Sequence, residues 1–120
     1  MKDKSACRVL IVDDDDAIRF VLRQLLSDEG WQVACAANGE EAFERLRETA
    51  PLPCVILLDL MMPVMDGWTF RSMQLEDPGL AHVPVVVMTA GIETGDVEGA
   101  PIVYKPMRAQ QLIQIVAERC

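Results

Sequence analysis

Three apolar runs in the chain are continuous rather than alternating, and they restrict the fold more than any other feature of the sequence. They lie at 8–12 (RVLIV), 54–58 (CVILL) and 84–88 (PVVVM). A strand that is apolar on both sides has to be covered on both faces, which is typical of parallel sheets. Since parallel neighbours need long crossover connections, these runs predict a sheet with helices on both faces.

Two further runs, 32–36 (QVACA) and 102–104 (IVY), bring the number of predicted strands to five. The segments between the strands carry apolar residues at helical spacing, with Asn38 as a cap and Gly30 as a helix end. They predict helices at 16–30, 38–49, 67–77 and 108–119. This alternation predicts a doubly wound α/β domain, in which ligands bind at the carboxyl ends of the strands where the strand order reverses.

Length and composition limit the chain to one domain over residues 1–120. With 51% hydrophobic and 25% charged residues it is a globular sequence, and a second domain does not fit. The net charge of −8 makes this domain a poor candidate for holding a nucleic-acid backbone. No apolar run approaches the roughly 20 residues that cross a bilayer, and no signal-peptide core precedes the first strand. We therefore expect a cytoplasmic protein without membrane contact.

The four cysteines, Cys7, Cys35, Cys54 and Cys120, form no CxxC pair, and three of them lie in apolar, strand-like surroundings. They predict reduced thiols that pack as small hydrophobic residues, rather than a disulfide or zinc framework. The lone His82 cannot build a histidine metal site. Any metal site is therefore expected to use oxygen ligands.

Polar residues follow the predicted strands at their carboxyl ends, which in a parallel sheet share one edge. The edge gathers Asp13, Asp14, Asp59, Thr89 and Lys105. Close carboxylates repel one another by about 1 kcal/mol per pair in water and about 4 kcal/mol at an effective dielectric near 20, so the cluster needs a cation. Oxygen ligands, too few for a dedicated cage, fit Mg²⁺ that shares its site with a phosphate.

Each of these residues also has an ordinary structural explanation. The acidic run 13–16 is typical of a solvated turn with a helix N-cap at Asp15 or Asp16. A threonine at a strand end often caps a helix, and a lysine before a proline is usually exposed. Their combination on four strand ends instead favours a phosphoryl-group site. Asp59, single and central at the end of the most apolar strand, is then the candidate nucleophile that would form an acyl phosphate.

The segments VLIVDDDDAIR, LLDLMMPVMDG, VVVMTA and YKP together resemble the receiver domain of two-component response regulators over essentially the whole chain. The resemblance implies a flavodoxin-like, five-stranded parallel sheet of order 2-1-3-4-5. It implies that Asp59 is the phosphoacceptor, that Thr89 is the switch hydroxyl and that Lys105 contacts the phosphate. Mg²⁺, or Mn²⁺ in its place, would be held by Asp13, Asp14, Asp59 and the backbone carbonyl of Met61. The Lys105–Pro106 bond is expected to be cis.

Two departures from the family concern the output of the signal. The position three residues before the lysine, commonly aromatic in the family, is Ile102, and Tyr104 immediately precedes Lys105. The connection 90–101 contains three glycines and a proline and is too short for a three-turn helix with its loops. We therefore expect the helix between strands four and five to be shortened or missing, and a mobile loop in its place.

Three functions remain in competition. The first is a phosphorylatable receiver that takes its phosphoryl group from a histidine kinase or phosphotransfer protein, dephosphorylates itself and acts on a downstream protein, as a monomer or weak dimer. The second is a receiver-like interaction module that signals without phosphorylation. The third, an aspartate-nucleophile phosphatase, would want a second acid two residues after the nucleophile, where this chain has Met61. The first hypothesis describes a signalling receiver rather than an enzyme.

Overall fold

The computed structural model describes residues 8–48, 51–91 and 95–120. Within them the chain forms five strands and four helices. The strands are β1 (Arg8–Val12), β2 (Gln32–Ala36), β3 (Val55–Asp59), β4 (Val85–Thr89) and β5 (Ile102–Tyr104). The helices are α1 (Asp16–Asp28), α2 (Gly39–Glu48), α3 (Gly67–Glu76) and α4 (Ala109–Arg119).

The strands form one parallel sheet in the order β2-β1-β3-β4-β5, which confirms the predicted topology. The order reverses between β1 and β3, whose register pairs Val12 with Leu58. On the other side of β3, Asp59 pairs with Met88 of β4. The carboxyl ends of β1, β3 and β4 therefore meet at one edge of the sheet, as a ligand site at the reversal point requires.

The sheet is covered on both faces because alternate residues of its central strands enter different core clusters. Every residue of β3 is buried. Ile56 and Leu58 join Phe43 of α2 and Phe70 of α3 on one face. On the other face lie residues of β3, α1 and α4: Val55, Leu57, Leu26, Leu112 and Val116. This two-sided packing explains why the strand sequences are continuously apolar.

The element boundaries differ from the predicted ones by one or two residues. β3 and β4 begin and end one residue later than predicted, so Asp59 and Thr89 are the last residues of their strands. α1 ends at Asp28, and Gly30, with φ of 102°, donates its N–H to the Ser27 carbonyl at 3.0 Å. The predicted caps are confirmed, because Asp15 accepts N–H groups of α1 and Asn38 accepts the Glu41 N–H at 2.8 Å.

No helix occurs between β4 and β5 in residues 90, 91 and 95–101, the described part of this connection. The predicted shortening or loss of a helix here is therefore confirmed for these residues, while 92–94 lie outside the described residues. Val97 and Ala100 are buried and belong to the core on the α2 and α3 face. The described part of the connection is thus a coil that packs against the core through these two residues.

The prediction of reduced cysteines is wrong for Cys54 and Cys120, which form a disulfide with Cα atoms 5.3 Å apart. Cys35 is a free thiol, and Cys7 lies outside the described residues. Cys54 directly precedes β3 and Cys120 directly follows α4, and 66 residues separate them in sequence. Local spacing such as CxxC carries no information on a pair that only the folded topology brings together.

None of the helices in the described ranges is both long enough and apolar enough to cross a membrane.

Candidate functional site

Three carboxylates meet at the carboxyl edge of the sheet. Asp13 and Asp14 follow β1, Asp59 ends β3, and one oxygen from each lies within 4.8 Å of the other two. Asp13 is fully buried, Asp59 is 6% exposed and Asp14 is exposed to solvent. The predicted acidic cluster is therefore brought together in the structure, with two members buried and one facing water.

Backbone hydrogen bonds fix the two buried carboxylates. Asp13 Oδ1 accepts the Asp15 N–H at 2.9 Å, and Asp59 Oδ1 accepts the Leu60 N–H at 2.9 Å. Each carboxylate is thus anchored through one oxygen by the chain that immediately follows it. Such bonds to an ionised acceptor are among the stronger hydrogen bonds in proteins and hold a side chain in one orientation.

Lys105 reaches into the cluster from the end of β5, and its side chain is only 17% exposed. Its Nζ lies 2.7 Å from Asp13 Oδ2 and 3.7 Å from Asp59 Oδ1, so it contacts Asp13 more closely than Asp59. Asp13 is the more deeply buried acid and has the greater need of an opposite charge. The Lys105–Pro106 bond is cis, as expected.

The pKa of Asp59 is raised from 3.8 to about 6. Burial is the largest cause, followed by the negative charge of Asp13, while Lys105 and the Leu60 N–H lower the pKa in part. In the metal-free protein the lysine therefore does not fully offset desolvation and carboxylate repulsion. A cation bound among these oxygens would supply the missing positive charge.

The donor set fits Mg²⁺ better than a transition metal. The cluster offers only oxygen atoms and has one solvent-facing member, so a cation here would keep several waters and one open side. Zn²⁺ and related metals prefer nitrogen and sulfur ligands, and this cluster contains neither histidine nor cysteine.

Thr89 lies at the end of β4 and is 1% exposed. Its Oγ1 accepts the Gly91 N–H at 3.0 Å, and its carbonyl accepts the Lys105 N–H at 2.8 Å. The first bond is the ordinary turn role that the sequence also allowed, and it leaves the hydroxyl proton free to be donated. The second bond joins β4 to the backbone of the lysine, so Thr89 and Lys105 are positioned together.

Gly67 holds the loop after Asp59 in place, a role that sequence reasoning did not detect. A Cβ at this position would lie 2.4 Å from the Asp59 carbonyl oxygen and 2.8 Å from Leu60 Cα. The Gly67 N–H donates to the Leu60 carbonyl at 2.9 Å, and Asp66 caps α3 by accepting the Thr69 N–H. The sequence pair Asp-Gly signals a helix start, but not this close approach of two backbones.

Arg19 was also missed. Its Nη1 donates to the Asp13 carbonyl at 2.6 Å, and its guanidinium pairs with Asp16. The only sequence signal for this contact is the position of Arg19 one turn into α1. Many exposed helical arginines share that position, so the signal does not distinguish Arg19. Met61, whose carbonyl was predicted to complete a metal shell, has a 68% exposed side chain on the solvent side of the loop.

Comparison with known proteins identifies the family of this arrangement. The sequence profile of the response regulator receiver domain matches residues 9–117. This chain belongs to the response regulator receiver family. The receiver domain is 36% identical over 118 residues to the DNA-binding response regulator MtrA of Mycolicibacterium smegmatis, which covers 93% of this chain and 50% of that protein. It is 40% identical over 91 residues to the response regulator PleD of Caulobacter vibrioides, covering 76% of this chain and 20% of that protein.

Solved structures agree in fold. The chemotaxis protein CheY4 of Vibrio cholerae superimposes with a TM-score of 0.83 at 27% identity, covering 95% of this chain and 98% of that one. A chain of the CheX–CheY complex with BeF₃ and Mg²⁺ from Borrelia burgdorferi gives 0.80 at 30% identity, covering 93% and 87%. This receiver domain spans half or less of the length of MtrA and PleD, whereas it matches CheY4 almost end to end.

Membership in the family makes this a domain of two-component, phosphorylation-based signalling. In this receiver domain the position of the commonly aromatic residue is held by half-buried Ile102, which packs against the core on the α2 and α3 face. Tyr104, two residues later, is 53% exposed. A half-buried aliphatic side chain thus lies at the position where the family commonly has an aromatic residue.

Proposed function

We propose that this receiver domain accepts a phosphoryl group on Asp59 from a histidine kinase or phosphotransfer protein, with Mg²⁺ in the acidic cluster, and passes the signal to a downstream protein. The observation that carries the proposal is the position of Asp59. It ends a fully buried strand within 4.8 Å of two further carboxylates and 3.7 Å from a lysine amine. We place the domain in the cytoplasm, where kinase phosphotransfer domains act.

The ionisation of Asp59 suits it to act as a nucleophile. A pKa of about 6 leaves most of the carboxylate ionised at pH 7, and a cation in the cluster would lower that pKa further. Oδ1 is engaged by the Leu60 N–H, so Oδ2 is the oxygen left to attack. In the transfer an Asp59 oxygen forms a bond to phosphorus while the phosphorus–nitrogen bond of the donor histidine breaks and its electron pair leaves with the imidazole.

Asp13, Asp14, Asp59 and the Met61 carbonyl would hold Mg²⁺, and Mn²⁺ could replace it. When bound, the cation neutralises charge on the oxygens of the transferred group. Lys105 supplies a second positive charge, and the 2.7 Å contact with Asp13 keeps its amine at the mouth of the cluster. Once the phosphoryl group is attached, Lys105 can exchange Asp13 for a phosphoryl oxygen, because its flexible stem allows this shift.

The signal would leave the site through Thr89. Its hydroxyl proton can be donated to a phosphoryl oxygen, and the turn bond from Gly91 would then be weakened or lost. Gly91 is the second residue of the β4–β5 connection, so the connection would be biased between two arrangements. The downstream protein would read that change, and the domain would act as a monomer or weak dimer.

The donor would dock beside α1. A groove of about 340 Å³ lies between α1 and residues 105–107, lined by Ile18, Val21 and Leu22 together with Lys105. Val21, which lines the groove, is 60% exposed, and its neighbour Phe20 is 68% exposed, so α1 presents apolar surface beside the groove. Because Lys105 contacts Asp59, a histidine-bearing domain seated in this groove would bring its phosphorylated ring to the mouth of the site.

The proposal is tested by incubation with a small acyl-phosphate donor and Mg²⁺, followed by intact-mass measurement. We expect one added phosphoryl group on the wild-type chain and none on Asp59→Asn. Asp28→Asn, an exposed aspartate at the end of α1, is the matched control and should be modified like the wild type. Chelation of the metal should abolish the modification in the wild type and in Asp28→Asn.

The alternative is an interaction module that keeps the fold and signals without phosphorylation. It is favoured by the loss of a helix from residues 95–101 and by Ile102, because both alter the usual route from site to surface. A wild-type chain that stays unmodified by acyl phosphates and by candidate kinases, while remaining folded, would put this alternative first.

A further inference from the structure

β3 and α4 are linked at both ends. At the carboxyl edge of the sheet, Lys105, four residues before α4, forms ion pairs with Asp13 and with Asp59 at the end of β3. At the opposite edge, Cys120 directly after α4 is bonded to Cys54 directly before β3. Between these ends the two elements share one core cluster. One link depends on charge at the site, and the other depends on the oxidation state of two sulfurs.

We propose that Cys54 and Cys120 form a reversible thiol–disulfide pair whose oxidation clamps the end of α4 to the start of β3. The oxidant is a low-molecular-weight disulfide of the glutathione class. One protein thiolate attacks it and releases one glutathione thiol, and the second protein thiolate then attacks the mixed disulfide and releases the other. Two protein thiols lose two electrons and two protons, and the small disulfide gains both.

The positions of the two cysteines allow both oxidation states. A Cα separation of 5.3 Å lies in the range that a disulfide needs without backbone movement. Cys54 Sγ lies 3.3 Å from the Arg8 carbonyl, so a reduced Cys54 has an acceptor for its thiol proton. Cys120 is 8% exposed within an apolar cluster, where a neutral thiol is equally at home. Neither sulfur needs the bond to satisfy its surroundings.

The oxidant can reach one of the two sulfurs. Cys54 is part exposed at the edge of the sheet opposite the acidic cluster, whereas Cys120 is buried. Cys35, the free thiol among the described residues, is part buried and its pKa is raised, chiefly by burial. A raised pKa lowers the thiolate fraction and so slows exchange at Cys35.

The clamp acts on the helix rather than on the acidic cluster. The backbone of β3 is held in the sheet on both sides by β1 and β4, so fixing its start leaves Asp59 in place. The end of α4 is not held in the sheet. It is held by the packing of Val116 and Cys120 in the core cluster, by hydrogen bonds within the helix and by the disulfide. Oxidation should therefore restrict opening of α4 more than it alters the site.

The experiment equilibrates the 120-residue chain in glutathione buffers that range from reducing to oxidising, then traps free thiols and measures intact mass. We expect two fewer trapped thiols in the oxidised protein and full recovery on returning to reducing buffer. Reduction should lower the Tm by roughly 10 °C, as expected for opening a loop of this size in a small domain. Amide exchange in α4 should accelerate on the order of tenfold, with exchange in β1 unchanged.

Three variants make the test specific. Cys35→Ser should keep the full redox response, while Cys54→Ser and Cys120→Ser should lose it and melt like the reduced wild type. Asp59→Asn, which removes the proposed phosphorylation, should also keep the full redox response, so the two proposals can fail separately. The clamp is overturned if both thiols are trapped at every buffer ratio, or if the folded protein cannot be reduced. It is equally overturned if exchange in α4 is the same in both states.

Discussion

Two of the connections that leave the carboxyl edge of the sheet are built in opposite ways. The β3–α3 connection, residues 60–66, is closed by backbone contact, because Gly67 packs directly against the Asp59 carbonyl. The β4–β5 connection, residues 90–101, contains Gly95 and Gly99, around which a Cβ would meet nothing within 4 Å. The first holds the proposed phosphoacceptor, and the second follows the proposed switch hydroxyl.

The rigid connection serves the proposed phosphoryl transfer, and the looser connection serves the proposed transmission of the signal. Transfer chemistry needs side chains held within fractions of an ångström, which a close backbone approach provides. The described part of the β4–β5 connection is held instead by buried Val97 and Ala100 and by polar bonds from α3 to Glu98. Segments held by few contacts open at low free-energy cost, so this connection is the one available to move.

Alanine substitution of Gly67, directly after the first connection, and of Gly99, within the second, gives the largest expected contrast. In Gly67→Ala the new Cβ overlaps two backbone atoms that cannot shift without moving Asp59, so we expect a loss of about 5 kcal/mol in the free energy of unfolding. In Gly99→Ala the Cβ has open space, and only the left-handed φ of 81° is unfavourable. That change should cost about 1 kcal/mol. Urea unfolding measures both, and equal losses would remove the contrast.

Removal of one positively charged side chain from each region gives the next largest effect. Lys105→Met leaves the buried Asp13 carboxylate without its 2.7 Å partner and should cost about 3 to 4 kcal/mol in metal-free buffer. Arg71→Met, in α3, removes two hydrogen bonds, one to the Glu98 carbonyl and one to the buried Gln74 side chain, and should cost about 2 kcal/mol. Mg²⁺ should restore part of the loss in the first variant and none in the second. A metal-independent loss in Lys105→Met would contradict this account.

The stability of the metal-free protein should fall as pH rises from about 4 to 7. The folded-state pKa of Asp59 is about 6, against 3.8 for an unperturbed group, so between these values the folded state binds more protons than the unfolded state. The penalty is complete above the folded pKa and amounts to about 2 to 3 kcal/mol, at 1.36 kcal/mol per pKa unit. Urea unfolding across this pH range in the presence of a chelator measures it.

Asp59→Asn provides the control for this pH dependence. It removes the titrating group, keeps an acceptor for the Leu60 N–H, and should flatten the curve between pH 4 and 7. Saturating Mg²⁺ should reverse the slope in the wild type, because the cation binds the ionised form. If Asp59→Asn kept the wild-type curve, the pH dependence would have to come from other groups.

The acidic cluster itself was predictable because its residues follow strands, and strand ends in a parallel sheet share an edge. Asp13, Asp59 and Lys105 needed no information beyond the apolar runs that precede them. The disulfide between Cys54 and Cys120 could not be found in this way, because it depends on where α4 ends relative to β3. The role of Gly67 could not be found either, because its contact joins two backbone segments and sequence patterns report on side chains.

The β4–β5 connection was predicted only in part. Its length and its glycines excluded a full helix, and the described residues bear this out. The expectation of a mobile loop did not foresee that Val97 enters the core or that two residues of α3 bind Glu98. A single buried valine in a polar, glycine-rich segment has no periodicity, so its burial cannot be inferred from the sequence.

The smallest expected effect concerns the attachment of this connection to α3. Glu98 is a non-glycine residue with a positive φ of 44°, and its carboxylate accepts a hydrogen bond from the Ser72 hydroxyl. Ser72→Ala removes that bond and should lower the free energy of unfolding by less than about 1 kcal/mol, since the pair is exposed. Amide exchange over residues 95–101 should nevertheless accelerate several-fold, because local opening depends on few contacts. Ser27→Ala, an exposed serine of α1, is the matched control.

Beryllofluoride with Mg²⁺ mimics the phosphoryl group. If activation breaks the hydrogen bond between the Gly91 N–H and the Thr89 hydroxyl, this mimic should accelerate amide exchange over residues 95–101 in the wild type. In Ser72→Ala the mimic should then add little. Two results would show instead that the connection transmits the signal as a rigid surface. One is slow exchange over residues 95–101 both with and without the mimic. The other is a tight dimer that sedimentation detects only when the mimic is bound.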